Sequence, residues 1–174
     1  MVAGLVLASL IEIAGQPVSN RHVRTTEARI LAIVEDGVTG SATFRRLVET
    51  LDASDVIVYL EPKFDRGGLG GYLSHRMVVA GPMRYLKIAL DLKGGRDRLV
   101  SLVAHELQHA VEVAEASEVR DSRSMVRLFE RRTISQSCGG GCFETEAALD
   151  VQEAVLDELR ISRPAVIAAF RTDD

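Results

Sequence analysis

The stretch Leu99–Glu115, LVSLVAHELQHAVEVAE, constrains the fold of this chain more than any other. Apolar residues surround its central pentad, His105-Glu106-Leu107-Gln108-His109: Leu99, Val100, Leu102, Val103 and Ala104 before it, Ala110, Val111, Val113 and Ala114 after it. A surface helix carries one apolar stripe, whereas this pattern predicts a helix buried on most sides. Two histidines and a glutamate buried there need partners, because burying them alone is costly. In an α-helix, residues four apart lie on one face a turn apart, so His105 and His109 can present imidazole nitrogens to one ion. Glu106 can reach the open side of that ion and take a proton from water as it attacks a carbonyl. Two imidazoles and a carboxylate form an N/O donor set with a position left open, which suits Zn2+. The bland alternative is a core helix with two hydrogen-bonded histidines and a solvated Glu106.

The 174 residues suit one domain with a sizeable core, and the apolar fraction of 47% is ordinary for a globular protein. A net charge of −4, scattered arginines and the absence of tryptophan argue against nucleic acid as a partner. No run of about eighteen apolar residues exists, so no transmembrane helix is expected. Residues 1–20 form a separate segment: Met1–Ala14 has the length and apolarity of a signal-peptide core, but lacks a basic start and contains Glu12. It reads as signal-like or as an N-terminal segment packed on the domain. Cys138 and Cys142 flank three glycines and could close a small disulfide in an exported protein. The expected location is therefore exported or periplasmic; two free thiols in a cytoplasmic protein are the alternative.

The domain itself is expected over residues 21–164, with 165–174 as a tail after Pro164. Thr25 or Thr26 can cap a first helix through Ile30, Ile33 and Val34, broken by Gly37 and Gly40. Ser41 caps a second, with Phe44, Leu47, Val48 and Leu51 at helical spacing. Val56–Leu60 reads as a strand stopped by Pro62, and the glycine-rich residues 67–73 as a loop without a phosphate-binding pattern. Arg76–Ala80 and Arg84–Asp91 read as two more strands joined by a Gly81-Pro82 turn, with Leu86, Ile88 and Leu90 alternating inward. Val119–Arg132 follows the pentad as a charged helix with Met125, Leu128 and Phe129 inward, and Phe143 opens the last helix. The expected fold is α+β: a small sheet of about three strands packed by helices, with the HExxH helix central. An exposed edge strand beside the site could bind an extended peptide.

Two histidines need a third protein ligand. Projected at 100° per residue, the last helix carries an apolar stripe of Ala148, Val151, Val155 and Leu159, and Glu144 falls on that stripe. Glu146 projects to the opposite side with Asp150, Glu153 and Asp157. Glu112 shares the histidine face but stands about 10 Å along the axis from His105, better placed to hydrogen-bond a ligand than to bind the ion. Glu144 is the preferred ligand, with Glu112 and Glu146 as rivals.

HELQH followed by a helix beginning Glu144-Thr-Glu-Ala-Ala resembles the gluzincin group of zinc metallopeptidases, and within it the E-x-E-A-D helix of CAAX-protease-like members. Ala148 stands where those carry Asp, which removes a carboxylate that would orient a histidine. The likeness covers the two helices and the upstream strand order. It implies a minimal, zincin-like, exported bacterial domain that hydrolyses peptide bonds, with His105, His109 and Glu144 on zinc and Glu106 as general base and later acid. A donor for the developing oxyanion would also be needed, from among His75, Tyr72, Tyr85 and Arg84, and spacing selects none of them. The competing expectation is a zincin-fold binding or regulatory domain that holds zinc with little or no hydrolysis.

Overall fold

The computed structural model describes residues 21–64, 70–134 and 143–162. The signal-like segment, both cysteines, residues 67–69 of the glycine-rich loop and the tail lie outside the described residues. In chain order the elements are β1 (Val23–Arg24), α1 (Ala28–Gly40), α2 (Ala42–Asp52), β2 (Val56–Pro62), β3 (Gly71–Leu73), β4 (Val78–Ala80), β5 (Met83–Leu90), α3 (Arg96–Glu115), α4 (Ser122–Arg132) and α5 (Glu146–Ser162). The class is mixed α+β: among the described residues, five helices pack on an open sheet of five strands, rather than on three. β1 and β3 are the additions. With two and three residues they are too short to display a period, and β3 lies inside the glycine-rich stretch expected to be a loop.

The sheet order is β1-β2-β5-β3, with β4 also paired to β5. β1, β2 and β5 run parallel, while β3 and β4 lie antiparallel along successive parts of one edge of β5. Gly81 and Pro82 form the two-residue loop between β4 and β5. The positive φ of 59° at Gly81 explains glycine there. Paired residues share a face, so Arg84, Leu86, Ile88 and Leu90 of β5 lie with Leu73 and Gly71 of β3 on one face. Tyr72, Tyr85 and Lys87 lie on the other.

α3 packs on α1, α2, α5 and β3. Its buried residues include Leu99, Val100, Val103, Ala104, Leu107, Ala110, Val111 and Val113, which meets the expectation of burial on most sides. α2 begins as expected, with the Ser41 hydroxyl accepting from the Phe44 N–H at 2.9 Å. Gly37 does not break α1, however. A Cβ there would stand 2.5 Å from the Phe44 ring, so the missing side chain lets α1 and α2 approach.

Both ends of α3 are tied down. Arg96 pairs with Asp36 of α1 at the start. At the far end, Arg84 is fully buried. It holds Asp55 through two nitrogens and donates to the carbonyls of Val113 (2.7 Å), Ala116 (2.8 Å), Val119 (3.1 Å) and Ala114 (3.1 Å). The last carbonyls of a helix lack intrahelical partners and carry partial negative charge, so a guanidinium satisfies both needs. The phase of β5 aims Arg84 at that helix end, which ties the C-terminal end of α3 to the sheet.

Candidate metal centre

His105 and His109 stand one turn apart on α3, both nearly buried, with ring centroids 4.9 Å apart and planes at 85°. Glu112, one turn further, brings Oε2 to 3.0 Å from His109 Nδ1. A carboxylate only accepts, so a neutral His109 in this contact carries its proton on Nδ1 and leaves the Nε2 lone pair free. Glu112 thus occupies the position of an orienting partner, as its height along the helix suggested.

Glu144 reaches the histidines by a different route from the one projected. α5 begins at Glu146, and Glu144 precedes it in extended chain. Thr133 and Ile134, just past α4, hold it there. The Thr133 hydroxyl accepts from Glu144 N–H at 3.1 Å and donates to its carbonyl at 3.0 Å, and Ile134 N–H donates to the same carbonyl at 2.8 Å. The side chain then places Oε1 3.2 Å from His105 Nε2. That oxygen is buried and, among the described residues, has no hydrogen-bond partner. Glu146 is exposed on the first turn of α5, away from the cluster.

One ligand atom each from His105, His109 and Glu144 lies within 4.8 Å of the others. Two imidazole nitrogens and one carboxylate oxygen are the donors that zinc favours when a coordination position stays open. The orphaned Oε1 fits the same group, since a buried carboxylate oxygen normally has a partner. Glu106, Glu112 and Glu144 bring three carboxyl groups to two imidazoles, more acidic oxygens than the two rings alone can partner.

Glu106 is buried beside these residues. The Leu73 N–H of β3 hydrogen-bonds its carboxylate, and a Cβ on Gly71 would stand 3.0 Å from its Oε1. Glycine at 71 therefore lets the edge strand close over the acid. Burial pushes the Glu106 carboxyl up to about 7, against the opposing pull of His109, with the charge of Glu144 adding to the rise. Burial also pushes His105 down to about 4, helped by His109, although the Ala148 carbonyl and Gln152 favour its protonated form. For His109 burial acts downward, but its hydrogen bond to Glu112 and the neighbouring carboxylates outweigh it, and its pKa ends above the usual value. Burial raises Glu144, with His109 opposing. A carboxyl poised near neutrality can both accept and return a proton.

Of the four residues considered as oxyanion donors, Arg84 is locked under the end of α3, and Tyr72 and Tyr85 lie on the sheet face away from Gly71 and Leu73. His75 is linked to His109 only through a relay of three ring contacts. Its ring lies 5.4 Å from that of Phe143, which stacks on Phe129 at 6.0 Å, and Phe129 meets His109 edge-on at 5.4 Å. This row of rings, the Leu73 N–H, Gly71 and the Thr133 clasp on Glu144 escaped the sequence reading. Only Phe129 carried a signal, as an expected inward residue of α4. No family model, curated protein or solved structure matches the chain.

Proposed function

We propose that this chain is a zinc-dependent peptide hydrolase of the gluzincin type, in which His105, His109 and Glu144 hold the ion and Glu106 moves the proton. One observation carries the proposal: three zinc-type donor atoms converge beside the buried carboxyl of Glu106. Zinc held there would supply Lewis-acid polarisation of a carbonyl and a lowered pKa for attacking water. Glu106 takes one proton of that water as its oxygen bonds to the carbonyl carbon. It then returns the proton to the amide nitrogen as the C–N bond breaks, leaving a carboxylic acid and an amine. Glu112 holds the His109 ring in register, and the Leu73 N–H holds Glu106.

β3 supports the choice of an extended peptide as substrate. Among the described residues it pairs only with β5, and it lies directly against Glu106. A peptide added along an open strand edge gains main-chain hydrogen bonds there.

A second reading, a zinc-holding binding or regulatory domain, is favoured by one detail. Beside His105, Ala148 brings only its backbone carbonyl and no carboxylate to orient the ring. Metal analysis and a mixed-peptide cleavage assay separate the two. For the hydrolase, purified chain holds one zinc at neutral pH and cleaves, while Glu106→Gln holds zinc and does not cleave. Zinc without cleavage in either form supports the binding domain; no zinc at neutral pH refutes both.

A further inference from the structure

The helices that contact the sheet, chiefly α2 and α3, also contact each other, so they lie on the same face of it. That face carries Arg84, which reaches the end of α3, with Leu86 and Ile88 in the same phase. The register turns Ile57, Tyr59, Tyr72, Val78, Tyr85 and Ala89 to the opposite face. There Tyr59, Tyr72 and Val78 are exposed by 39%, 36% and 61%. Antiparallel sheets commonly leave one face to water, whereas parallel strands are normally covered on both. The longest pairing in this sheet, β2 with β5 over seven residue pairs, is parallel. β2 also reads Val56-Ile-Val-Tyr-Leu60, apolar or aromatic at every position instead of alternating, as a strand covered on both faces does. Among the described residues, the outer face lacks a layer.

The chain holds a segment suited to it. Residues 1–14, MVAGLVLASLIEIA, contain one charge, Glu12, and the chain runs from them to β1 at the edge of this sheet. His22 is pinned beside β2: its N–H donates to the Asp52 carboxylate at 2.6 Å, and its carbonyl accepts from Val58 N–H at 2.8 Å. Residues 15–20 can span about 20 Å, enough to turn from that edge onto the face. Fourteen residues wound as a helix measure about 21 Å, against about 23 Å for the seven residues of β2. Arg24 pairs with Tyr59 in register on this face, and among the described residues its guanidinium bonds only the Tyr59 hydroxyl and the Arg21 carbonyl. Glu12 carries the opposite charge. We propose that residues 1–14 pack across the outer face of the sheet as part of the folded domain. This cover lies across the sheet from the metal cluster and is independent of any hydrolysis there.

Tyr59, Tyr72 and Tyr85 are the protein's three tyrosines, and all lie on this face, so tyrosine nitration reads its cover without background. Full chain is treated with tetranitromethane, and each tyrosine is followed by peptide mass spectrometry. Leu7→Asp/Ile11→Asp puts charge into the segment and should raise nitration by about tenfold over wild type, with helix content unchanged by circular dichroism. Rates within about twofold of wild type overturn the inference. Protection in wild type that grows with protein concentration assigns the face to a second copy and also overturns it. A benzophenone-bearing residue in place of Leu7 decides the matter even where the charged variant fails to fold. Cross-links within one chain to peptides holding Tyr59, Tyr72 or Tyr85 support the cover; cross-links only to other segments or to another chain refute it. Loss of residues 1–20 from exported protein, seen in its intact mass, refutes it as well.

Discussion

Replacing Glu106 by glutamine should make the metal-free protein's stability less sensitive to alkali, by an amount that follows from the burial of one carboxyl. In the folded chain Glu106 ionises at about 7, against 4.5 for an unhindered glutamate. A folded-state pKa raised above the unfolded value favours folding fully below about pH 4.5, and the benefit disappears as pH rises through about 7. At roughly 1.4 kcal/mol per pH unit, ionised Glu106 opposes folding by about 3 kcal/mol at alkaline pH. Glutamine has no proton to lose. Its amide bears a constant cost for an N–H2 group placed where only one donor, Leu73 N–H, now faces an acceptor. The informative quantity is therefore the pH slope of the difference between the two proteins. The depressed pKa of His105, about 4, works in the other direction, lowering stability as pH falls below about 6.5. It is present in both proteins and largely cancels. Urea unfolding in the presence of a chelator, at several pH values between about 4.5 and 8.5, measures the difference. Stability of Glu106→Gln relative to wild type should climb by about 3 kcal/mol across that range, on the order of 10 °C in melting temperature for a chain this size. Saturating zinc should flatten the climb, because a nearby divalent cation favours the carboxylate. A difference that stays level within about 0.5 kcal/mol without metal would refute the buried-acid argument.

Two further substitutions probe the supports of the site. Arg84→Met removes the guanidinium that joins Asp55 to four carbonyls around the end of α3. Breaking one partner out of such a buried set typically costs about 3–5 kcal/mol, so thermal melts should show a large drop, and a loss below about 1 kcal/mol would deny Arg84 its anchoring role. Glu112→Ala should weaken zinc binding by about 10–100-fold by freeing the His109 ring, measured by competition with a chelator of known affinity. Unchanged affinity would mean that the 3.0 Å contact at Nδ1 does not orient the imidazole.

What the sequence made legible was local. The apolar flanks of the HELQH pentad, the serine cap at Ser41 and the alternation of Leu86, Ile88 and Leu90 each depend on neighbours within a few positions, and each has its expected form. Contacts between distant segments were much less legible. Gly37 looks like a helix breaker until Phe44 is seen packed where its Cβ would be, and Gly71 looks like loop until Glu106 is seen beneath it. β1 and β3 carry no signal of their own because two or three residues cannot show a period, and their pairing comes from partners fifteen or more residues away.

Glu144 shows the difference most sharply. Helical projection singled it out, yet the helix starts two residues later, and the hydroxyl of Thr133 from another segment is what brings the carboxylate to His105. The choice of residue and the reason for it were separable, because a residue just ahead of a helix still inherits the direction in which that helix enters the core. Arg84 carries the converse lesson. Its phase on β5 matched the inward leucines and isoleucine, and a charged residue in that phase must meet an acidic partner or a helix end. Arg84 meets both, Asp55 and the terminal carbonyls of α3, so the strand that looked like scaffold anchors one end of the helix on which the candidate chemistry depends.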